Sequence, residues 1–311
     1  MTPARTWVLT QALAGLQTQA LGLAEAAGLA PETRVLAPRA PWRFFPAARW
    51  PAPLRAVPDA LAPPLPDLAI GCGGVAAAVG AALRRPGLPV VQVQHPRLDP
   101  RRFDLVVVNR HDGLTGPNVV VTRTALHRAT PDRLAQAAAV WRERLASLPR
   151  PLVAVLVGGS NGRFRLDEAV ARALAGQLAA MMRQDRVGIA LTASRRTGAP
   201  ATRAFADILE PLGGWLWDGT GENPYFGLLA LADAIVVTMD SVSMVSEAAA
   251  TSAPVLVAPL PGRSRRIGRF LQGLTADGRI RPFAGRLDLW PVAPLDDTPM
   301  AADQMRRRLG F

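Results

Sequence analysis

Lysine is absent from this 311-residue chain, and cysteine, tyrosine and histidine are scarce: Cys72 and Tyr225 stand alone, with three histidines. A single cysteine excludes an internal disulfide and any cysteine-built zinc site, and His95, His111 and His127 lack metal-ligand spacing. Neither a metal nor a cofactor is expected. No stretch of 18 uninterrupted apolar residues occurs, and the start of the chain has no apolar run ending in a small-residue cleavage pattern. A cytoplasmic protein is therefore expected. With 49% apolar and 19% charged residues, the chain is globular, and its length suits two domains of about 150 residues.

The formal charge is +12, and arginine carries all of the basic charge. Replacement of lysine by arginine, with 29 prolines, fits coding bias in a GC-rich genome. The charge favours anionic partners such as phosphates, nucleotides or a membrane surface. The arginines are spread over both halves, and neither a stacking module nor a helix-turn-helix signature is present, so nucleic acid is not an expected partner.

Short apolar strands alternate with helices and loops along the chain, which predicts an α/β fold with doubly wound sheets. In the first half, strands are expected at 6–10, 34–37, 68–70, 89–94, 104–109 and 118–122. In such sheets ligands meet the carboxyl ends of the strands. That rule selects His95 and Arg97 after the fourth strand and His111 with Asp112 after the fifth. Gly15 and Gln17 lie near the start of the first helix, where a substrate could approach the backbone or Gly15 could serve as a small packing residue. A carboxylate beside an imidazole raises its basicity and orients it, so His111 and Asp112 form a candidate general base. Residues 38–66 break the pattern. Their prolines forbid a long helix, while Trp42, Phe44, Phe45 and Trp50 alternate with Arg39, Arg43, Arg49 and Arg55. This segment suits either an anionic membrane surface or a connection that folds its aromatics inward.

Pro149-Arg150-Pro151 reads as a linker, dividing a domain at 1–148 from one at 149–299, with a basic helix at 300–311. The second half opens with a strand at 152–157 and the loop Gly158-Gly159-Ser160-Asn161-Gly162, which lets backbone approach a ligand but lacks the Walker A lysine. A strand at 187–192 delivers Ser194, Arg195 and Arg196, a pair of guanidinium groups suited to a diphosphate. Residues 234–259 read as a βαβ unit. Its turn places Asp240, Ser241, Ser243 and Met244 at a helix start, with Glu247 one turn later, either as simple caps or as an anion site.

Two such halves resemble the GT-B architecture, two Rossmann-like domains facing each other across a cleft. The glycine loop, the run from Thr238 to Glu247 and Pro254 resemble the donor half of the GlcNAc transferases that complete the lipid-linked peptidoglycan precursor. That resemblance gives Ser160 and Ser243 to a diphosphate and Glu247 to a ribose. Over nearly the whole chain, the blocks at 103–108, His111-Asp112, Gly116 to Asn118, Gly158 to Ser160, 192–197, Asn223-Pro224-Tyr225 and 238–247 are similar to the bacterial branch of the Elm-type mitochondrial fission family. The segment Thr10 to Gly15 departs from the richer glycine-lysine loop of that family.

Two functions follow as expectations. One is a metal-independent glycosyltransferase that takes a nucleotide-diphosphate sugar as donor and an envelope or lipid-linked acceptor. Its donor side would hold Gly158, Gly159, Ser160, Asn161, Ser194, Arg195, Arg196, Asn223, Tyr225, Asp240, Ser241, Ser243, Met244 and Glu247. Its acceptor side would hold Gly15, Gln17, His95 and Arg97, with His111 and Asp112 catalytic. The other is a non-catalytic adaptor that recruits partners at a membrane, peripheral to the inner membrane.

Overall fold

The strands are apolar at consecutive positions because both faces of each sheet are covered. Leu152–Val157, for instance, is buried throughout. A computed structural model describes residues 5–311, so the first four residues of the expected first domain lie outside the described residues. The chain divides into two compact units.

The first unit carries the parallel strands β1 (Thr6–Thr10), β2 (Pro31–Val35), β3 (Leu68–Cys72), β4 (Val90–Val93), β5 (Leu105–Asn109) and β6 (Val119–Thr122), with helices α1 (Ala14–Ala26) and α2 (Gly74–Leu83). Their spatial order is β2-β1-β3-β4-β5-β6. Between β2 and β3 the proline-rich segment forms four short 3-10 turns. Trp42 and Trp50 turn inward and pack edge to face at 6.0 Å, and the Trp50 indole donates to the Phe45 carbonyl. Phe44 and Phe45 stay outside, 69% and 61% exposed. The segment thus folds its two tryptophans inward and leaves its two phenylalanines exposed.

The second unit begins with α3 (Pro131–Trp141), followed by β7 (Leu152–Val157), α4 (Glu168–Asp185), β8 (Gly188–Ala193), α5 (Ala199–Leu209), β9 (Trp215–Leu216), α6 (Tyr225–Leu231), β10 (Ala234–Thr238), α7 (Val242–Ala249), β11 (Val255–Ala258), α8 (Arg265–Ala276) and β12 (Ile280–Pro282). The order β12-β11-β10-β7-β8-β9 is the doubly wound dinucleotide-fold order, and it reverses between β7 and β10. The loops after those two strands border the crevice at that reversal. The last helix, α9 (Thr298–Leu309), packs on α1 of the first unit. Among the described residues, no helix is long and apolar enough to cross a membrane.

The boundaries differ from the sequence expectation of 148 and 299. The second unit spans Ala129–Leu295, and Asp296–Phe311 returns to the first. Helix α3 belongs to the second unit because Trp141 and Leu145 are buried with Leu228 and Val245. A Cβ on Gly227 would lie 2.5 Å from the Trp141 ring, so α6 and α3 touch without room for a side chain. Arg150 donates to the Leu231 carbonyl and to Asp233, which ties the expected linker to the same unit. At the other boundary, Arg123 after β6 grips Asp297 through its backbone N–H (2.6 Å) and its guanidinium, and the His127 N–H donates to Thr298. Those bonds fasten α9 to the first unit.

Helix α7, which bears Glu247, is held from behind by a residue with no sequence signal. The buried Arg279 donates Nε to the Ala249 carbonyl (2.9 Å) and Nη2 to those of Ala248, Thr251 and Ala253. It thereby satisfies carbonyls that the end of the helix leaves open. Burial lowers its pKa to about 10, so it remains charged at neutral pH. Arg279→Met keeps the stem but removes the donors, and is expected to cost ~3 kcal/mol, read as a lower urea midpoint for the second unit. An unchanged midpoint would show that these carbonyls find other partners.

Candidate functional site

Three loops meet at the carboxyl edge of the second sheet, and a buried carboxylate joins them. Asp240, two residues past β10, has a side chain with no solvent exposure. It accepts from the Gly159 N–H (3.1 Å), the Thr238 hydroxyl (2.7 Å) and Nη2 of Arg196 (2.8 Å). Arg196, after β8, also donates to the Gly159 carbonyl. Ser194 and Thr197 both donate to the Gly158 carbonyl, and the Gly158 N–H donates to Thr238. Such a charge is stable in the interior because every side of it meets a donor.

The two glycines exist for this packing. A Cβ on Gly158 would come within 2.2 Å of Asp240 Oδ1, and one on Gly159 within 2.2 Å of the Arg196 backbone. The Gly158, Gly159, Ser194, Arg196 and Asp240 expected on the donor are therefore brought together, but their polar groups face one another. Ser160 closes its own loop, accepting from the Leu166 N–H and donating to the Leu166 carbonyl. Asn161 Oδ1 accepts from the N–H groups of Arg163 and Phe164. Arg195 is exposed beside this cluster.

The start of α7 is more open. Ser241 is its N-cap, accepting from the Met244 N–H. Ser243 and Met244 are half-buried in the first turn, where backbone N–H groups have no intrahelical partner. One turn on, Glu247 is 6% exposed and accepts a 2.5 Å hydrogen bond from the Tyr225 hydroxyl at the start of α6. Asn223, two residues earlier, accepts from the Tyr225 N–H. Burial raises the Glu247 pKa to about 7, against the lowering effect of the Tyr225 bond, and burial beside Glu247 raises that of Tyr225 well above its usual value.

In the first unit the expected residues are scattered along the strand ends. Gly15 lies in the first turn of α1, and its carbonyl accepts from Gln19, whose side chain in turn accepts from Gln94 after β4. Gln17 is half-buried on the same helix. His95 Nδ1 accepts from the Arg97 N–H, with Arg97 held in the left-handed region. His111 and Asp112 sit in a 3-10 turn after β5, 3.7 Å apart, with side chains 1% and 4% exposed. Both are closed off from solvent. Thr197, Thr238 and Arg279 hold the second-unit site together, yet sequence reasoning gave them no role. The two threonine hydroxyls, near the ends of strands β8 and β10, were a weak signal, and Arg279 had none.

The raised Glu247 pKa has a sign that can be tested. Between the unfolded value near 4.5 and about 7, the folded chain holds a proton that the unfolded chain has lost, so stability falls as pH rises through this window. Glu247→Gln removes that slope. It is expected to match the native protein near pH 4.5 and to exceed it by up to ~3 kcal/mol at pH 8, measured by urea unfolding at each pH. Parallel curves for the two proteins would refute the assignment.

Comparison with known proteins places this geometry. The UDP-GlcNAc 2-epimerase of Methanocaldococcus jannaschii, solved in complex with UDP-GlcNAc and UDP, is 11% identical. The alignment covers 98% of this chain and 99% of that one, with a TM-score of 0.59. MurG of Acinetobacter baumannii is 18% identical, with 98% and 90% covered and a TM-score of 0.50. At these identities the likeness is one of fold, and the fold is GT-B-like. The mitochondrial fission protein ELM1 of Arabidopsis thaliana is 34% identical over 274 residues, 78% of this chain, and the match spans 64% of that relative's length. The family described as mitochondrial fission ELM1 matches residues 14–309, and the chain belongs to it.

Proposed function

We propose that the second unit binds a nucleotide-diphosphate sugar at the carboxyl edge of its sheet, and that the chain transfers the sugar, without a metal, to an envelope or lipid-linked acceptor. The observation that carries this reading is the first turn of α7. It stands beside the β7–β10 reversal and presents free amides and the half-buried Ser243 hydroxyl, with the Glu247 carboxyl one turn away. A diphosphate would meet those amides, and the exposed Arg195 would offset charge on the leaving group. The likeness in fold to an epimerase solved with UDP-GlcNAc supports the class of ligand.

Within this reading Asp240 shapes the loops, its carboxylate taken up by Gly159, Thr238 and Arg196, while Arg196 would keep further N–H groups for the donor on its half-exposed guanidinium. A ribose hydroxyl would meet the Glu247 oxygen that the Tyr225 phenol leaves open, since Tyr225 donates to Oε2 alone. Proton transfer to His111 would require the turn at Arg110–Asp112 to open, since the imidazole is shut off from solvent. Calorimetry with UDP, GDP, ADP and CMP sugars checks the proposal. Binding of one nucleotide class is expected, weakened about tenfold in Glu247→Gln and not weakened in Tyr225→Phe. The reading fails if none binds, or if both Glu247→Gln and Arg195→Ala bind as the native protein does.

A second reading, an adaptor at an anionic membrane surface, is favoured by the exposed Phe44 and Phe45. The Arg43 guanidinium lies 4.8 Å from the Phe44 ring centre, and Arg49 and Arg55 follow in the same segment. Aromatics that enter a headgroup layer beside arginines suit such a surface. Flotation with anionic liposomes is expected for the native chain and lost in the Phe44→Ser, Phe45→Ser double variant. Equal flotation of the two would remove the membrane contact.

A further inference from the structure

A pocket lined by arginines stands beside α8. The loop after β7 and the loop after β11 are zipped together by backbone bonds: the Arg165 N–H donates to the Pro261 carbonyl and the Arg263 N–H to the Arg163 carbonyl. Gly262 makes the crossing possible, with φ +134° and a Cβ position only 2.1 Å from the Arg163 oxygen. The join leaves a pocket of about 360 Å³, at the lower end of the ~300–1,000 Å³ typical of small-molecule sites. Phe164 and Met239 give it an apolar floor, and Arg263, Arg265 and Arg269 form its wall.

Chemically, this lining is one-sided. No aspartate or glutamate borders the pocket. None of the three guanidinium groups is ion-paired among the described residues, whereas Arg165, two positions before the β7 loop ends at Asp167, takes that carboxylate as its partner. Three like charges around one concavity repel one another, and an anion relieves that repulsion. The guanidinium fork matches phosphate oxygens, and the apolar floor matches a carbon body. We propose that this pocket binds a small organic phosphate, with Arg265 and Arg269 on the phosphate and Met239 and Phe164 beneath the rest. Met239 is adjacent in sequence to Asp240, so the pocket borders the strand-end cluster described above. It uses none of that cluster's polar groups, and the inference does not depend on nucleotide binding.

The test uses the full chain with glucose 1-phosphate and inorganic pyrophosphate as probes and glucose as the neutral control, followed by calorimetry. Binding of glucose 1-phosphate is expected, with no heat from glucose. The Arg265→Ala, Arg269→Ala double variant should weaken it at least tenfold while keeping the native circular dichroism and melting temperature, since both side chains are exposed. Ser243→Ala should leave it unchanged, which separates this pocket from the start of α7. Pyrophosphate that binds while glucose 1-phosphate does not would refute the organic-phosphate assignment. Flotation with phosphatidic acid vesicles distinguishes the source of the group. Flotation lost in the double variant would identify a lipid phosphate, and no flotation beside retained glucose 1-phosphate binding would identify a free one. The proposal is overturned if no phosphate probe or vesicle binds, if the double variant binds as the native chain does, or if Ser243→Ala abolishes binding equally.

Discussion

A carboxylate buried without solvent contact is tolerable only when donors surround it, and Asp240 meets that condition with one donor from each of three directions: the Gly159 amide, the Thr238 hydroxyl and the Arg196 guanidinium. The rest of the second-unit site follows from this constraint. Gly158 and Gly159 can carry no side chain because the carboxylate and the Arg196 backbone occupy that space. With the strand-end loops fixed in this way, the start of α7 is presented at the reversal of the sheet. The same carboxylate holds one edge of the Arg196 guanidinium, while the rest of that side chain and Arg195 stay exposed.

Glu247 illustrates the opposite treatment of a buried acid. It has one strong donor, the Tyr225 hydroxyl, and its pKa rises to about 7 because burial outweighs that bond. Asp240 is thus tied to the loops by three donors, whereas Glu247 has a single one in the Tyr225 hydroxyl. Arg279 holds this helix from behind by tying down the end of α7.

Much of the framework was legible from periodicity. The strands at 6–10, 152–157 and 234–238 fall where apolar runs placed them, because strands covered on both faces are apolar at every position. The division into units was harder to read. Pro149-Arg150-Pro151 has the composition of a linker, but side-chain packing sets the boundary: Trp141 lies against Gly227, and Asp297 is gripped by Arg123. The proline-rich segment was legible only as a choice, and packing split it, with Trp42 and Trp50 inside and Phe44 and Phe45 outside.

The sequence by itself determined the α/β class, the order of the strands along the chain, and the polar loops that would gather at their carboxyl ends. These depend on local patterns of two or four residues. Only the tertiary structure decided which polar groups spend their hydrogen bonds on one another. Asp240 and Arg196 read as separate strand-end residues in one dimension and bond to each other and to Gly159 in three, because hydrogen bonds between residues about 40 or 80 positions apart leave no periodic trace. For the same reason the arginine pocket beside α8 emerges only when two distant loops are zipped together and a glycine allows them to touch.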